Sequence, residues 1–348
     1  MGSLLSSDAV LTKRNSFDIK NLVVNHETEV LKVEAADVHT LIDQCRKNPG
    51  HANFIPVSRF QVTDLPKGYR DINLYEYIIA TADLTVRLAV KKVSPNRPQF
   101  WPGTKKPYPF CDTTESVIRT GTGELTIHKY IEGTGQDAHG SNSNIVSGSK
   151  LETMYKTCPC KKCQSSEQPS NVWWEIYVHT ATHVVFDEAE AAATTCRLFY
   201  DEKACPVVSF DRVSEVEANV ERDKCMLKYE TCDMALGEKL FKTEVRCGRL
   251  FKKVGNKFAR KLGNKFMFIV SHPHGGPKQV SIGKWRTSIK VGQFNKTFDR
   301  TKITYTTCTC PGSSGALIHC VGLSGNHIHS GALETKLNCS GVGYHYRQ

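Results

Sequence analysis

The sequence predicts a mostly β protein in two units, and three observations carry that reading. From Val117 onward, short β-favouring runs alternate with glycine and polar turns: "SVIRTGTGELTIHKYI", "NVWWEIYVHTATHVVF", "TCRLFY" and "VEANVERDKCMLKY". A second set follows in "KFMFIVSHPHG", "KQVSIGKW", "KITYTTC", "GALIHCVGL" and "NHIHSGAL". Between them, residues 233–262 read as a linker, where Asp233 can cap an amphipathic helix carrying Met234, Leu236, Leu240 and Phe241. Many strands with close turns and few helices argue for barrels or sandwiches.

Upstream the chain is plainer. Residues 1–30 are polar and expected to be loose. Val38, Leu41, Ile42 and Cys45 fall at helical spacing within Val33 to Cys45, before the breaker Asn48-Pro49-Gly50, so a short helix is expected there. Tyr75 to Val93 reads as β-favouring, followed by a proline-rich loop over 95–109. The expected division is an extension of unassigned role over 1–85 and one folded domain over 86–348. Within the latter, the first β unit covers about 86–232, the linker 233–262 and the second unit 263–348.

Composition bounds the class. At 348 residues and 38.9 kDa, with 23% charged and 39% apolar residues, the chain reads as an ordinary globular protein. No apolar run approaches the roughly 18 residues needed to span a bilayer. The opening Met1-Gly2-Ser3-Leu4-Leu5-Ser6 lacks the basic end and apolar stretch of a secretory signal, so a reducing, cytoplasmic setting is expected. The same opening fits an acylation pattern at Gly2, with Lys13 and Arg14 downstream, which would give weak membrane association. A net charge of +11 attracts anionic partners without identifying them.

One stretch stands out chemically: Cys308-Thr309-Cys310-Pro311-Gly312-Ser313-Ser314-Gly315-Ala316. Ser314 has a glycine one place after it and another two places before. That arrangement allows a sharp turn and close approach of backbone to a substrate. The N–H groups of Gly312 and Ser314 could converge on a developing oxyanion. Such a loop acquires meaning only with a base and an orienting acid. His183 follows a strongly apolar strand in "TATH", and Asp223 enters a strand in "DKCML".

In that order, "TATH", "DKCML" and "GSSGA" resemble the three signature segments of trypsin/chymotrypsin-like serine peptidases. "RTGTGELTIH" is similar to the strand that opens the first barrel in non-secreted members. The segment from Ile269 to Gly275 resembles the start of the second barrel, and "HIHSGAL" the strand edging the substrate pocket. The resemblance covers roughly residues 86–345. It implies two packed antiparallel β-barrels with the active site between them and no cofactor. It also implies that Ser314 is the nucleophile, His183 the general base, Asp223 the orienting acid, and Gly312 and Ser314 the oxyanion donors. Ser330 matches a serine that hydrogen-bonds the acid. Asp233 in "DMAL" also fits the acid's segment and is the rival, although a full strand follows Asp223.

Two departures from that family sharpen the expectation. Ser313 stands where secreted members carry an aspartate paired with a cleaved N-terminus. Cys308 stands where trypsin-like specificity requires an acid, so cleavage after Lys or Arg is not expected. Thr309 and His329 instead resemble the pair with which glutamyl and picornavirus-type proteases hold Glu or Gln. A hydroxyl and an imidazole can hydrogen-bond a carboxylate or amide oxygen of a P1 side chain.

Two further features stand apart from that chemistry. Cys158, Cys160 and Cys163 form the densest of the chain's 14 cysteines. Three thiolates at this spacing could bind zinc with a fourth ligand such as His179, Cys196 or Cys205; otherwise they are reduced surface cysteines. Residues 246–266 carry Arg246, Arg249, Lys252, Lys253, Lys257, Arg260, Lys261 and Lys265, either a solvated linker or an anionic-surface site. The expected activity is therefore that of a serine endopeptidase acting on proteins or peptides. The alternatives are an inactive member of the fold used for binding, or a basic nucleic-acid or membrane-surface adaptor.

Overall fold

The computed structural model describes residues 24–31, 38–113, 117–138, 151, 153–259, 263, 265–323, 325–334 and 337–346. The extension contributes β1 (Asn25–His26), β2 (Glu29–Leu31), α1 (Val38–Asp43), β3 (Phe54–Pro56) and α2 (Ile72–Leu84). Then come β4 (Thr85–Val90), β5 (Ile118–Ile131), β6 (Thr134–Gln136), α3 (Lys161–Gln164) and β7 (Val172–Thr180). Next are α4 (Glu188–Ala191), β8 (Thr194–Leu198), β9 (Val208–Asp211), β10 (Ser214–Asn219) and β11 (Lys224–Thr231). Helix α5 (Met234–Phe258) leads to β12 (Phe266–Ser271), β13 (Gln279–Gln293), β14 (Phe298–Tyr305) and β15 (Ile318–Cys320). The chain closes with β16 (His329–Glu334), β17 (Leu337–Ser340) and β18 (Gly343–Tyr346).

These strands form two curled antiparallel sheets, the two half-barrels of a chymotrypsin-like architecture. The first has the order β10-β11-β7-β5-β4-β8-β9, with β2 and β6 also on β5. The second runs β1-β16-β17-β14-β13-β12-β15, with β18 on β14 and β3 on β13. Alternating residues of β5, β7, β8 and β11 close the first core, where Leu125, Ile127, Ile176, Val178, Leu198 and Leu227 are fully buried. Met267, Ile269, Ile303, Tyr305 and Ile318 fill the second.

Two expectations about the extension give way. Within residues 24–31, Asn25–His26 and Glu29–Leu31 are strand, not loose chain, because both sheets offer them open edges; residues 1–23 lie outside the described residues. The β-favouring reading of Tyr75 to Leu84 is also wrong: these residues lie in α2. Asp71 caps that helix by accepting from Leu74 N at 3.0 Å. Leu74, Tyr77, Ile78, Thr81 and Leu84 are buried, with Leu74, Tyr77 and Ile78 against α5 and β12. Tertiary burial overrides the strand preference of Tyr, Ile and Thr. Helix α5 begins at its Asp233 cap, which accepts from Leu236 N at 3.0 Å. Among the described residues no helix is long and apolar enough to cross a membrane.

Candidate active site

His183 sits in the tight turn after β7, where Val184 and Val185 N–H groups both donate to Ala181 O. Its Nδ1 lies 2.9 Å from each carboxylate oxygen of Asp223, and its backbone N donates to Oδ1 at 3.1 Å. Asp223, at φ +53° just before β11, also accepts from the Ser330 hydroxyl. Burial pushes its carboxyl up, but the adjoining His183 and these hydrogen bonds outweigh that and hold it below the ordinary range. The rival acid, Asp233, is exposed at the α5 cap and does not reach His183.

Sequence reasoning overlooked what grips His183 from behind. Arg97, from the proline-rich loop, donates to the His183 carbonyl through Nη1 and Nη2 at 3.2 and 3.3 Å. Glu190 at the end of that clamp takes Arg97 Nε and Nη2 and Arg119 Nη2, each at 2.7 Å. All three side chains are fully buried. Two guanidiniums around one carboxylate form a net-positive buried cluster, held by charge-assisted hydrogen bonds.

The Ser314 loop is shaped by two left-handed glycines. At Gly312, φ +91°, a Cβ would stand 2.6 Å from His272 O and 2.8 Å from Gly275 N. At Gly315, φ +87°, it would stand 2.2 Å from Thr180 Oγ1 and 2.3 Å from Thr122 O. Strand β5 pins the loop: Thr122 N donates to Ser314 O at 2.8 Å, and Thr122 Oγ1 to Gly312 O at 2.8 Å. Ser313 is fully buried, with its hydroxyl 3.1 Å from Ser271 Oγ and accepting from Cys310 N. A neutral hydroxyl thus fills the place where an unpaired aspartate would be costly. Ser314 Oγ and His183 Nε2 are both buried with no hydrogen-bond partner. A Cβ on Gly121 would meet both the Val184 side chain, next to His183, and Ser314 O, so β5 packs against both segments.

Thr309 and His329, the residues expected to line a pocket, meet the chain's own buried Glu27. His329 Nε2 lies 2.9 Å from Glu27 Oε2, and Thr309 Oγ1 donates to the same oxygen at 3.0 Å. Lys47 Nζ reaches Glu27 Oε1, Thr309 Oγ1 at 2.9 Å and Asn338 Oδ1 at 2.8 Å. Burial lowers the affinity of His329 for a proton, so Nε2–H donates to the carboxylate while Nδ1 accepts from Tyr305 OH at 2.5 Å. Burial alone would raise the Glu27 pKa, yet His329 and Lys47 bring it down to about 2. Lys47 and Glu27 were both missed by the sequence, since a lone charge in a polar stretch carries no pattern.

Glu27 arrives there because residues 24–31 run through the cleft. β1 pairs antiparallel with β16, Asn25 opposite Ala332 and His26 opposite Gly331. The Glu27 carbonyl oxygen accepts from Gly312 N at 3.0 Å. β2 then crosses to the first sheet, with Glu29 opposite Thr120. His26 packs its ring on His183 at 4.4 Å between centroids and on Trp101 at 4.5 Å.

The profile of the lysyl endopeptidase C-terminal domain family matches residues 163–341, more than half of the chain. The chain belongs to that family. The match takes in His183, Asp223, Ser314, Thr309 and His329, while β5 and the extension lie outside it. Solved structures similar to this family member include the active form of the Rv3671c protease from M. tuberculosis. That structure shares 12% identity over 78% of this chain and 82% of its own, with a TM-score of 0.34. The HtrA-type protease AlgW with decapeptide matches at 12% over 78% and 63%, TM-score 0.34. The serine endoprotease from Yersinia pestis matches at 11% over 76% and 60%, TM-score 0.34. No curated protein matches the chain.

Three groups of side chains in this family member have the chemistry of metal ligands; one is His26, His183 and Asp223 of the site already described, and two stand apart from it. Cys158, Cys160, Cys163 and Cys232 place their sulfurs within 4.8 Å of one another. The fourth member is Cys232, at the end of β11, rather than His179, Cys196 or Cys205. His179 instead meets Thr126 Oγ1, and Cys196 is buried in the first core. Cys45, His51, His274 and Cys310 form the second group, all buried and within the same limit. The basic run follows the solvent side of α5: Lys252, Lys253 and Lys257 are exposed, and Lys257 pairs with Asp71. Gly2, Arg260 and Lys261 lie outside the described residues.

Proposed function

We propose that the chain is a serine endopeptidase that cleaves after glutamate, using His183, Asp223 and Ser314. One observation carries the reading: Glu27 occupies the cleft as a P1 residue would. Its carboxylate is held by Thr309, His329 and Lys47 while its carbonyl oxygen takes the Gly312 N–H. In the reaction Ser314 Oγ attacks the P1 carbonyl carbon as His183 Nε2 takes its proton. Asp223 holds the Nδ1 proton and stabilises the imidazolium, while Gly312 and Ser314 N–H groups receive the oxyanion. The imidazolium then protonates the leaving amine, and water reverses the sequence to free the acid. The neutral ring of His26, whose pKa burial and the neighbouring His183 lower to about 3, stacks without repelling that imidazolium.

The pocket chemistry refines the expectation of Glu or Gln. An ammonium at Lys47 favours a carboxylate over an amide and opposes a cationic P1 residue. The lysine preference in the family's name therefore does not carry over. The domain is taken as 86–348, with the extension supplying Lys47 and the cleft-lining strands, in a reducing, cytoplasmic setting suited to fourteen thiols.

Labelling with a fluorophosphonate, beside Ser314→Ala and His183→Ala, tests the triad. Labelling of the unaltered chain alone is expected, and a P1 peptide library should show Glu above Gln and far above Lys. Equal labelling of all three, or of none even in Glu27→Ala, overturns the peptidase reading in favour of an inactive fold used for binding. A basic adaptor would instead bind anionic surfaces in a salt-sensitive way that survives Ser314→Ala.

A further inference from the structure

We propose that the Glu27–Thr28 peptide bond is this protease's own substrate, cut in cis by Ser314. The inference rests on the peptidase reading above and goes past it, from a specificity to a particular bond. A peptide substrate in a two-barrel cleft must satisfy four requirements, and residues 24–31 satisfy each with separate contacts. The non-primed side should lie as an antiparallel strand on the pocket edge: Asn25 pairs with Ala332 and His26 with Gly331. The residue before the scissile bond should fill the pocket: Glu27 meets Thr309, His329 and Lys47. Its carbonyl should face the oxyanion donors: Gly312 N–H is already on it at 3.0 Å. The primed side should cross to the other barrel: Glu29, Val30 and Leu31 pair with Thr120, Arg119 and Ile118 of β5.

These contacts give the segment the pose of a substrate, and turnover is what separates a substrate from a plug. A segment that merely covered the cleft would need no carboxylate in a pocket built of a hydroxyl, an imidazole and an ammonium. Nor would it aim a carbonyl oxygen at the backbone N–H beside an unpartnered serine hydroxyl. Flanking side chains add to the fit, with His26 between Trp101 and His183, and Glu29 Oε2 at 2.5 Å from His274 Nδ1. The chemistry balances with water as the sole co-reactant. Ser314 Oγ bonds to the Glu27 carbonyl carbon, and the C–N bond to Thr28 breaks as the amine takes the proton held by His183. Water then cleaves the ester, returning the hydroxyl and leaving a Glu27 carboxylate and a new Thr28 N-terminus.

The test is intact mass and N-terminal sequencing of the full chain over time, beside Ser314→Ala and Glu27→Ala. The expected result is loss of residues 1–27 to expose Thr28, first order and independent of protein concentration. Ser314→Ala should stay whole, and Glu27→Ala should slow by at least about 100-fold, because the pocket's buried polar groups lose their partner. A parallel assay on a glutamyl peptide separates the two readings, with Glu27→Ala included because its strap lacks the anchoring carboxylate. If either chain hydrolyses the peptide through Ser314 while the unaltered chain stays intact, self-cleavage is overturned and the peptidase stands. Cleavage whose rate rises with concentration overturns the cis step. No hydrolysis and no fluorophosphonate labelling in any form removes the peptidase reading itself.

A different observation carries a second inference: we infer that Cys45, His51, His274 and Cys310 hold one zinc-like ion, and Cys158, Cys160, Cys163 and Cys232 another. Ligands at about 2.0–2.3 Å in a tetrahedron stand roughly 3.3–3.8 Å apart. In the first group, Cys45 Sγ–Cys310 Sγ is 3.4 Å, Cys310 Sγ–His51 Nε2 is 3.5 Å and His51 Nε2–His274 Nε2 is 3.2 Å. In the second, Cys232 Sγ lies 3.8 Å from Cys160 Sγ and 3.5 Å from Cys163 Sγ. Glu29 on His274 Nδ1 orients the ring as an outer carboxylate does at metal sites. Elemental analysis of the purified chain should find two ions, with one lost in Cys310→Ser and the other in Cys163→Ser. Alkylation of the unaltered chain should mark those six thiols only after chelation. An ion count of zero, or alkylation indifferent to chelator, overturns the inference.

Discussion

The two sides of the cleft hold their reactive groups by opposite means. On the first-barrel side, His183 is positioned by charge: Asp223 grips its ring, and Arg97, Glu190 and Arg119 clamp its backbone from within the core. On the second-barrel side, Ser314 is positioned by backbone geometry, through two left-handed glycines and neutral hydroxyls at Ser313 and Thr122. A base that becomes cationic profits from a fixed anion beside it. In the proposed reaction the oxyanion forms on the substrate carbonyl beside Ser314, and it profits from N–H groups that need no reorganisation. Each half carries the device its own charge development requires.

The comparison can be broken at its strongest point first. Glu190→Ala leaves two guanidiniums buried without their carboxylate and should cost about 3–5 kcal/mol in denaturant unfolding. A loss below 1 kcal/mol would mean the clamp is not what fixes the first side. On the other side, Gly312→Ala should lower kcat by about 10²–10³ as one oxyanion donor is displaced, and should also lower the melting temperature because its Cβ meets His272 O. Steady-state kinetics beside a circular dichroism melt separates the two effects, and an equal loss in both would equate the two halves. Lys47→Met should reduce kcat/KM on glutamyl peptides by about 10–100-fold, the worth of a charged hydrogen bond. It should spare glutaminyl peptides, narrowing the Glu-over-Gln ratio. The smallest effect lies away from the cleft. Burial against β5 pushes Glu244 up to about 8, where it accepts from Ile127 N at 2.6 Å. Between pH 4.5 and 8 the folded chain then holds a proton the unfolded chain has lost, so stability falls as pH rises through that window. Glu244→Gln should flatten that slope and add on the order of 1–2 kcal/mol at pH 8 in thermal melts.

The architecture was legible because strand and turn signals are local. "TATH", "DKCML" and "GSSGA" stood out because their chemistry demands specific residue types flanked by small ones. Helix α2 was not legible, since Tyr75, Tyr77, Ile78 and Thr81 favour strands by themselves and turn helical only under the packing of α5 and β12. Cys232 escaped notice because 69 residues separate it from Cys163, and only the pairing of β11 with β7 brings it back. Glu27 and Lys47 were invisible for a different reason. Their meaning is a contact to Thr309 across 282 and 262 residues respectively, and nothing in their neighbours records it.

Helix α5 has a mechanical consequence. Its first half seats Gly237 and Leu240 on Trp174 and the first core, so closely that a Cβ on Gly237 would stand 2.2 Å from the indole. Its second half drives Leu250, Val254 and Phe258 among Phe266 and Phe268. At 25 residues, about 38 Å long, it is a splint nailed to both barrels. Hinge opening would have to pull out one set of nails, so α5 resists movement of one barrel against the other.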